Sequence, residues 1–186
     1  MSRSETTKSG PIVGKRKVYP IVVYGDPVLE TPAETVTVFD DELRVLLEDM
    51  FESMYAAKGV GLAAPQIGLS KRIAVIDIST GEDPAQKIVL INPEIIDKQG
   101  SQTSEEGCLS LPKFREPVTR PHKVMVRAFD AEGKQFEMTG EDLLARAFLH
   151  ETDHLNGKLY ISYISPLKRD LIRRKIRKLQ KANEWG

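Results

Sequence analysis

The chain has 186 residues, with 27 lysines and arginines balanced by 27 aspartates and glutamates, one cysteine and three histidines. That length suits one domain, and 40% hydrophobic with 29% charged residues is globular composition, too apolar for a disordered chain and too charged for a membrane bundle. A single cysteine excludes an internal disulfide, no apolar run reaches the roughly 18 residues of a membrane span, and zero net charge gives no whole-chain reason to expect nucleic acid.

Residues 1–17 are polar and small, without the apolar stretch of a secretory signal, and predict a disordered tail on a cytoplasmic protein. Val18–Val23 reads as extended and runs into the turn signal Gly25-Asp26-Pro27. Asp40 then caps a helix whose apolar residues Leu43, Leu46, Leu47, Met50, Phe51, Met54 and Ala57 fit a 3.6 period, with Gly59 as the stop. Arg72–Ile78, Lys87–Ile91, Val118–Phe129 (broken at Pro121) and Gln135–Met138 are strand-like, and polar Lys98–Gly107 reads as a loop. A second helix is predicted from Thr139, with Asp142 completing a capping-box pattern, to about Gly157. A third runs from Ser165-Pro166 towards Ala182. Strands and helices do not alternate, so the expected fold is a single α+β domain. Its strands, mixed or antiparallel, pack around a central helix, and a basic helix closes the chain. Residues 18–167 form the body and 168–186 the basic C-terminal helix and tail.

The second helix carries His150-Glu151-Thr152-Asp153-His154, an HExxH pattern in which the two imidazoles sit one turn apart and can reach one cation. A solvated charged helix end would be the plainer explanation. However, Leu143, Ala147, His150 and His154 form one stripe, and Leu144, Phe148, Glu151 and Leu155 the next, so the motif projects from the face expected in the core. Burying three polar side chains there costs several kcal/mol unless something such as a shared metal satisfies them.

A third ligand is needed. Tyr160 stands where one zincin class has its last histidine, Asp170 and Glu184 lie in a basic tail, and His122 sits at an exposed strand start. That leaves Cys108 in Glu106-Gly107-Cys108-Leu109-Ser110, the only soft ligand in the chain. Two imidazoles and a thiolate leave a fourth position open, as catalytic sites require. Gly59-Val60-Gly61-Leu62-Ala63-Ala64-Pro65-Gln66 superficially matches a dinucleotide fingerprint, but it follows a helix and Pro65 interrupts it. Its small residues permit close backbone approach, and Gln66 offers an amide donor to a polarised carbonyl.

Taken together, G-x-G-x-A-A-P-Q, E-G-C-L-S and H-E-x-D-H in this order resemble the peptide deformylase family, over about Val18 to Leu167. The resemblance implies Cys108, His150 and His154 as metal ligands, Glu151 as the catalytic acid and base, and the Gln66 side chain and Leu109 N–H as oxyanion contacts. It implies Val60, Gly61, Leu109, Arg115, Arg146 and Ala147 around a methionine pocket, Arg146 departing from the apolar residue expected there. It also implies Fe(II), replaceable by zinc, nickel or cobalt, and the N-formyl-methionine of nascent polypeptides as substrate. In that chemistry a water activated at the cation attacks the formyl carbon and formate is released. The rivals are a generic HExxH zinc metallopeptidase, a cysteine hydrolase using Cys108, and a non-catalytic metal-stabilised binding module.

From Lys168 to Lys181 there are eight basic residues and one acid, a net +7 that offsets −7 elsewhere. Leu167, Leu171, Ile172, Ile176 and Leu179 form its expected apolar side. This helix either simply docks by that side or also contacts ribosomal RNA. A monomer without membrane contact is expected.

Overall fold

The computed structural model describes residues 14–186, so most of the tail expected over residues 1–17 lies outside the described residues. Asp40 caps α1 (Asp41–Ala56), accepting the Leu43 N–H at 2.9 Å. Leu43, Leu47, Met50, Phe51 and Met54 are buried, in line with their spacing. The left-handed residue after the helix is Lys58, at φ 58°, rather than the glycine that follows it; Gly59 N–H returns to the Met54 carbonyl at 2.9 Å.

The strands are β1 (Gly61–Ala63), β2 (Ile73–Ile76), β3 (Ile88–Gln99), β4 (Gln102–Cys108), β5 (Leu111–Arg120), β6 (Lys123–Phe129) and β7 (Gln135–Glu141). Five form a sheet in the order β1-β2-β3-β6-β7, and β4 pairs with β5; all these pairings are antiparallel. The sheet is covered on both faces. Ala74 and Ile76 of β2 pack in the cluster of α2 (Asp142–Leu155), with Phe148 and Leu155, while Ile73 and Val75 face α1. A strand buried on both sides reads as a continuous apolar run, which is why Ile73–Ile76 stood out in the sequence.

A third cluster joins Ile172 and Ile176 of α3 (Pro166–Lys181) to Leu111 and Val118 of the β4–β5 hairpin. Of the expected apolar side of α3, Leu167 and Leu171 are instead 72% and 48% exposed, so the docked stripe is narrower than the sequence implied. The result is the expected α+β domain. No helix among the described residues is long and apolar enough to cross a membrane.

Two expectations about elements fail. Lys98–Gly107 is not a loop: β3 continues to Gln99, Gly100 turns the chain at φ 66°, and β4 starts at Gln102. These strand segments are largely exposed, so backbone ladders hold them without any apolar alternation to read. The second helix does not start at Thr139, because β7 runs on to Glu141, paired with Lys123. The helix begins at Asp142, whose φ of 52° turns the chain out of the sheet. Asp142 therefore opens the helix instead of closing a capping box.

Candidate metal centre

Helical spacing on α2 sets His150 and His154 side by side, with their Nε2 atoms 3.2 Å apart. Cys108, at the end of β4, closes the triangle, its Sγ 3.3 Å from His154 Nε2. The three ligand atoms lie within 4.8 Å of one another and are the one such cluster among the described residues. A tetrahedral ion with bonds of about 2.0–2.3 Å would hold its ligand atoms roughly 3.3–3.6 Å apart, so these spacings fit one small cation. His122 is elsewhere, exposed and paired with Asp142 at 2.8 Å. Tyr160 is buried against His150, the rings nearly parallel at 6.4 Å, and belongs to the hydrophobic cluster rather than the ligand set.

The local charges also call for a cation. Burial alone would depress His150, but Cys108 and Glu106 outweigh it and raise its pKa well above the usual imidazole value. Burial, reinforced by His150, holds His154 well below it. In the same pocket Glu151 Oε2 and His154 Nδ1 are buried without protein partners. A cation on the imidazole lone pairs and the thiolate, with solvent beside Glu151, suits this donor set.

Glu106, the first residue of the E-G-C-L-S motif, organises the site. It lies two residues before Cys108 on β4, so both project to one side of the strand. Its carboxylate accepts hydrogen bonds from Arg120 Nη2 at 2.6 Å, Arg146 Nη1 at 2.6 Å and His150 Nδ1 at 2.7 Å. Burial alone would raise its pKa, but bonds from His150 and Arg120 hold the carboxyl well below the usual carboxylate range. An Nδ1–H donated to Glu106 leaves His150 Nε2 as the free lone pair facing the cluster. The i, i+2 spacing was the available signal, hidden because the segment read as a loop.

Glu151 is 4% exposed, and burial pushes its carboxyl up to about 7. It packs directly on the backbone of β1. A Cβ on Gly61 would come within 2.9 Å of Glu151 Cδ, so only glycine lets the carboxylate lie there. Gly61→Ala is accordingly expected to lower turnover by at least about tenfold through a displaced Glu151, with the metal retained; unchanged turnover in a formate-release assay would refute this.

Gln66, 1% exposed, sits in a single 3-10 turn, Ala64–Ile67. Its Oε1 accepts the Ala63 N–H at 3.0 Å, which turns Nε2 towards Ser110 Oγ (3.3 Å) and Cys108 Sγ (3.6 Å). The extended segment Val18–Val23 supports this arrangement from behind: Val22 N–H bonds the Gln66 carbonyl, and Tyr24 N–H the Ser110 carbonyl, each at 2.8 Å.

A cavity of about 560 Å³ opens over the cluster. Val60, Gly61, Gln66, Cys108, Leu109, Arg115, Arg146, Ala147, His150 and Glu151 all line it, and His154 lies buried behind. Leu143 also faces it, 49% exposed, so the first turn of that stripe points to the cavity, while Ala147 also packs in the core and His154 is buried. Arg115 stands at the rim, 64% exposed. Arg146 is buried in the wall with its guanidinium bound to Glu106 and to the Val118 carbonyl at 3.1 Å, leaving its stem to the cavity.

The family model described as polypeptide deformylase matches residues 18–170. The chain belongs to the polypeptide deformylase family. It is 64% identical over 168 residues to the peptide deformylase of Acidobacterium capsulatum, covering 90% of this chain and 99% of that one. The peptide deformylase structure from Legionella pneumophila superposes with a TM-score of 0.83 at 47% identity, over 91% of this chain and 99% of the other. That from Synechococcus elongatus, in complex with actinonin, gives 0.81 at 38% identity, over 90% and 94%. The chain is a metal-dependent hydrolase that removes the formyl group from the N-terminus of nascent polypeptides. These deformylase relationships do not favour the metallopeptidase, cysteine-hydrolase or binding-module readings.

Proposed function

We propose that Cys108, His150 and His154 hold one Fe(II) ion and that Glu151, Gln66 and Leu109 carry out deformylation around it. The observation that carries this reading is the closure of the three ligand atoms to within 4.8 Å beneath the cavity. When bound, the metal supplies Lewis-acid activation of water and of the formyl carbonyl. The donor set also accepts zinc, nickel or cobalt, and Fe(II) rests on the family resemblance.

Glu151 does the proton work. Its burial favours the neutral carboxyl, so it takes a proton from the attacking water and later gives it to the amine nitrogen as the C–N bond breaks. The water oxygen stays on the formyl carbon, and the products are formate and a free α-amino group. Negative charge on the former carbonyl oxygen meets Gln66 Nε2 and the Leu109 N–H, neutral donors that do not compete for the metal. Val60, Leu109 and Ala147, with the Arg146 stem, receive the methionine side chain, while Gly61 and Arg115 bound the peptide backbone. Protein purified without oxygen is expected to contain one equivalent of iron and to release formate from formyl-Met-Ala. Metal removal should abolish the activity, and full activity in a metal-free preparation would refute the assignment.

We also infer that residues 18–167 are the catalytic unit and 168–186 a basic appendage for ribosomal RNA, in a monomer acting in the cytoplasm, where nascent chains are met. Arg174, Lys175, Arg177 and Lys178 are exposed on α3. Replacing these four with glutamine is expected to weaken ribosome binding and flatten its salt dependence, by about 0.7–0.9 in log–log slope per lost phosphate contact. An unchanged slope would count against the contact.

A further inference from the structure

On the opposite face of α2 lies a second cavity, of about 430 Å³, which shares no wall residue with the first. Thr152, Asp153 and Asn156 face it, whereas Ala147, His150 and Glu151 face the other. At this volume the occupant is a small molecule.

The wall is unbalanced in charge. Among the described residues, Arg72, Lys98 and Lys158 line it without any carboxylate partner. Arg72 Nη1 donates to the Leu155 carbonyl at 2.9 Å and to Asn156 Oδ1 at 3.0 Å, and Nη2 to the Pro93 carbonyl at 3.4 Å. All three acceptors are neutral, and among the described residues the Nε–H has no protein partner. Partial burial therefore lowers the pKa of Arg72, with no carboxylate bonded to it among the described residues.

The other ionic groups offer little relief. Arg120 and Asp153 are bonded to each other at 2.7 Å, and Asp153 also accepts the Tyr163 hydroxyl at 3.0 Å. Glu94, exposed, is the one acid of the wall left unpaired, against three cations. Thr152 adds a buried hydroxyl that has no hydrogen-bond partner among the described residues. Partial desolvation of a guanidinium without a counter-ion carries a cost, which a bound anion offsets through charge-assisted bonds.

We propose that this cavity binds a small oxyanion, a phosphate group or a carboxylate, against Arg72 with Lys98 and Lys158 completing the charge. The site is separate from the deformylation cavity, so its occupation does not depend on the roles given to the catalytic residues.

The test uses the full-length, metal-loaded enzyme. The Arg72 Nε–H resonance, assigned by its loss in Arg72→Gln, is followed during titration with inorganic phosphate, with formate, and with sodium chloride at matched ionic strength. The expected result is a saturable shift of Arg72 and of the Asn156 and Lys158 amides with phosphate or formate but not with chloride. Saturation by phosphate alone identifies a phosphoryl ligand, and by formate alone a carboxylate. Arg72→Gln, read on those amides, is expected to weaken binding at least about tenfold. Lys98→Gln, an exposed change that leaves the Arg72 hydrogen bonds in place, should weaken it about threefold and guards against loss of the fold. Linear shifts equal in all three salts, or affinity unaltered in both variants, would overturn the proposal.

Discussion

Replacing Glu151 with glutamine is expected to leave the metal content unchanged and to lower kcat by about 10²–10⁴-fold. Glutamine preserves the volume that rests on Gly61 and the buried setting, but it can neither take a proton from water nor return one to the leaving amine. Glu151 is not one of the three clustered ligand atoms, so elemental analysis should find the same metal in both proteins. The loss should fall on kcat, because the methionine pocket is built from other residues. A kcat within about tenfold of the parent, with metal in place, would take the proton transfers away from Glu151.

The largest effect on stability is expected at Glu106. Changing it to alanine leaves Arg146 with only the Val118 carbonyl and Arg120 with only Asp153, both guanidinium groups remaining buried. Removing one partner of a buried ionic cluster costs about 3–5 kcal/mol, because the surviving charges are stranded away from water. The same change frees His150 Nδ1, so metal affinity should also fall about 10–100-fold. Denaturant unfolding of the metal-free proteins measures the first effect, and competition with a chelator the second. A stability loss below about 1 kcal/mol would show that water or another acid replaces Glu106 without penalty.

The helices and the core strand were legible in the chain because their physics is local. Asp40 and Ser165 announce their helices by side-chain caps, and Ile73–Ile76 announces a strand between two apolar layers. The clustering of Cys108, His150 and His154 was legible for a different reason: thiols and imidazoles are so scarce here that HExxH left few candidates for a third member. The polar strands were not legible, since residues 94–107 are held by backbone pairing and carry mostly solvated side chains. That same blindness hid Glu106, whose importance depends on sharing a strand face with Cys108. Arg146 departs from the expected apolar residue because its head group is needed by Glu106, a pairing 40 residues away that no spacing encodes.

One strand thus delivers both Cys108 of the cluster and the carboxylate that bonds His150, from alternate positions with a two-residue turn immediately after. Inserting or deleting a single residue between Glu106 and Cys108 would turn one of the pair to the opposite side of the hairpin. Evolution can therefore exchange side chains along β4 far more easily than it can change the length of the strand. The exposed connection from Thr80 to Gln86, which contributes neither to the cluster nor to the cavity wall, carries no such constraint. Among relatives, gaps and extensions are expected to collect there, leaving the spacing from Glu106 to Leu111 fixed.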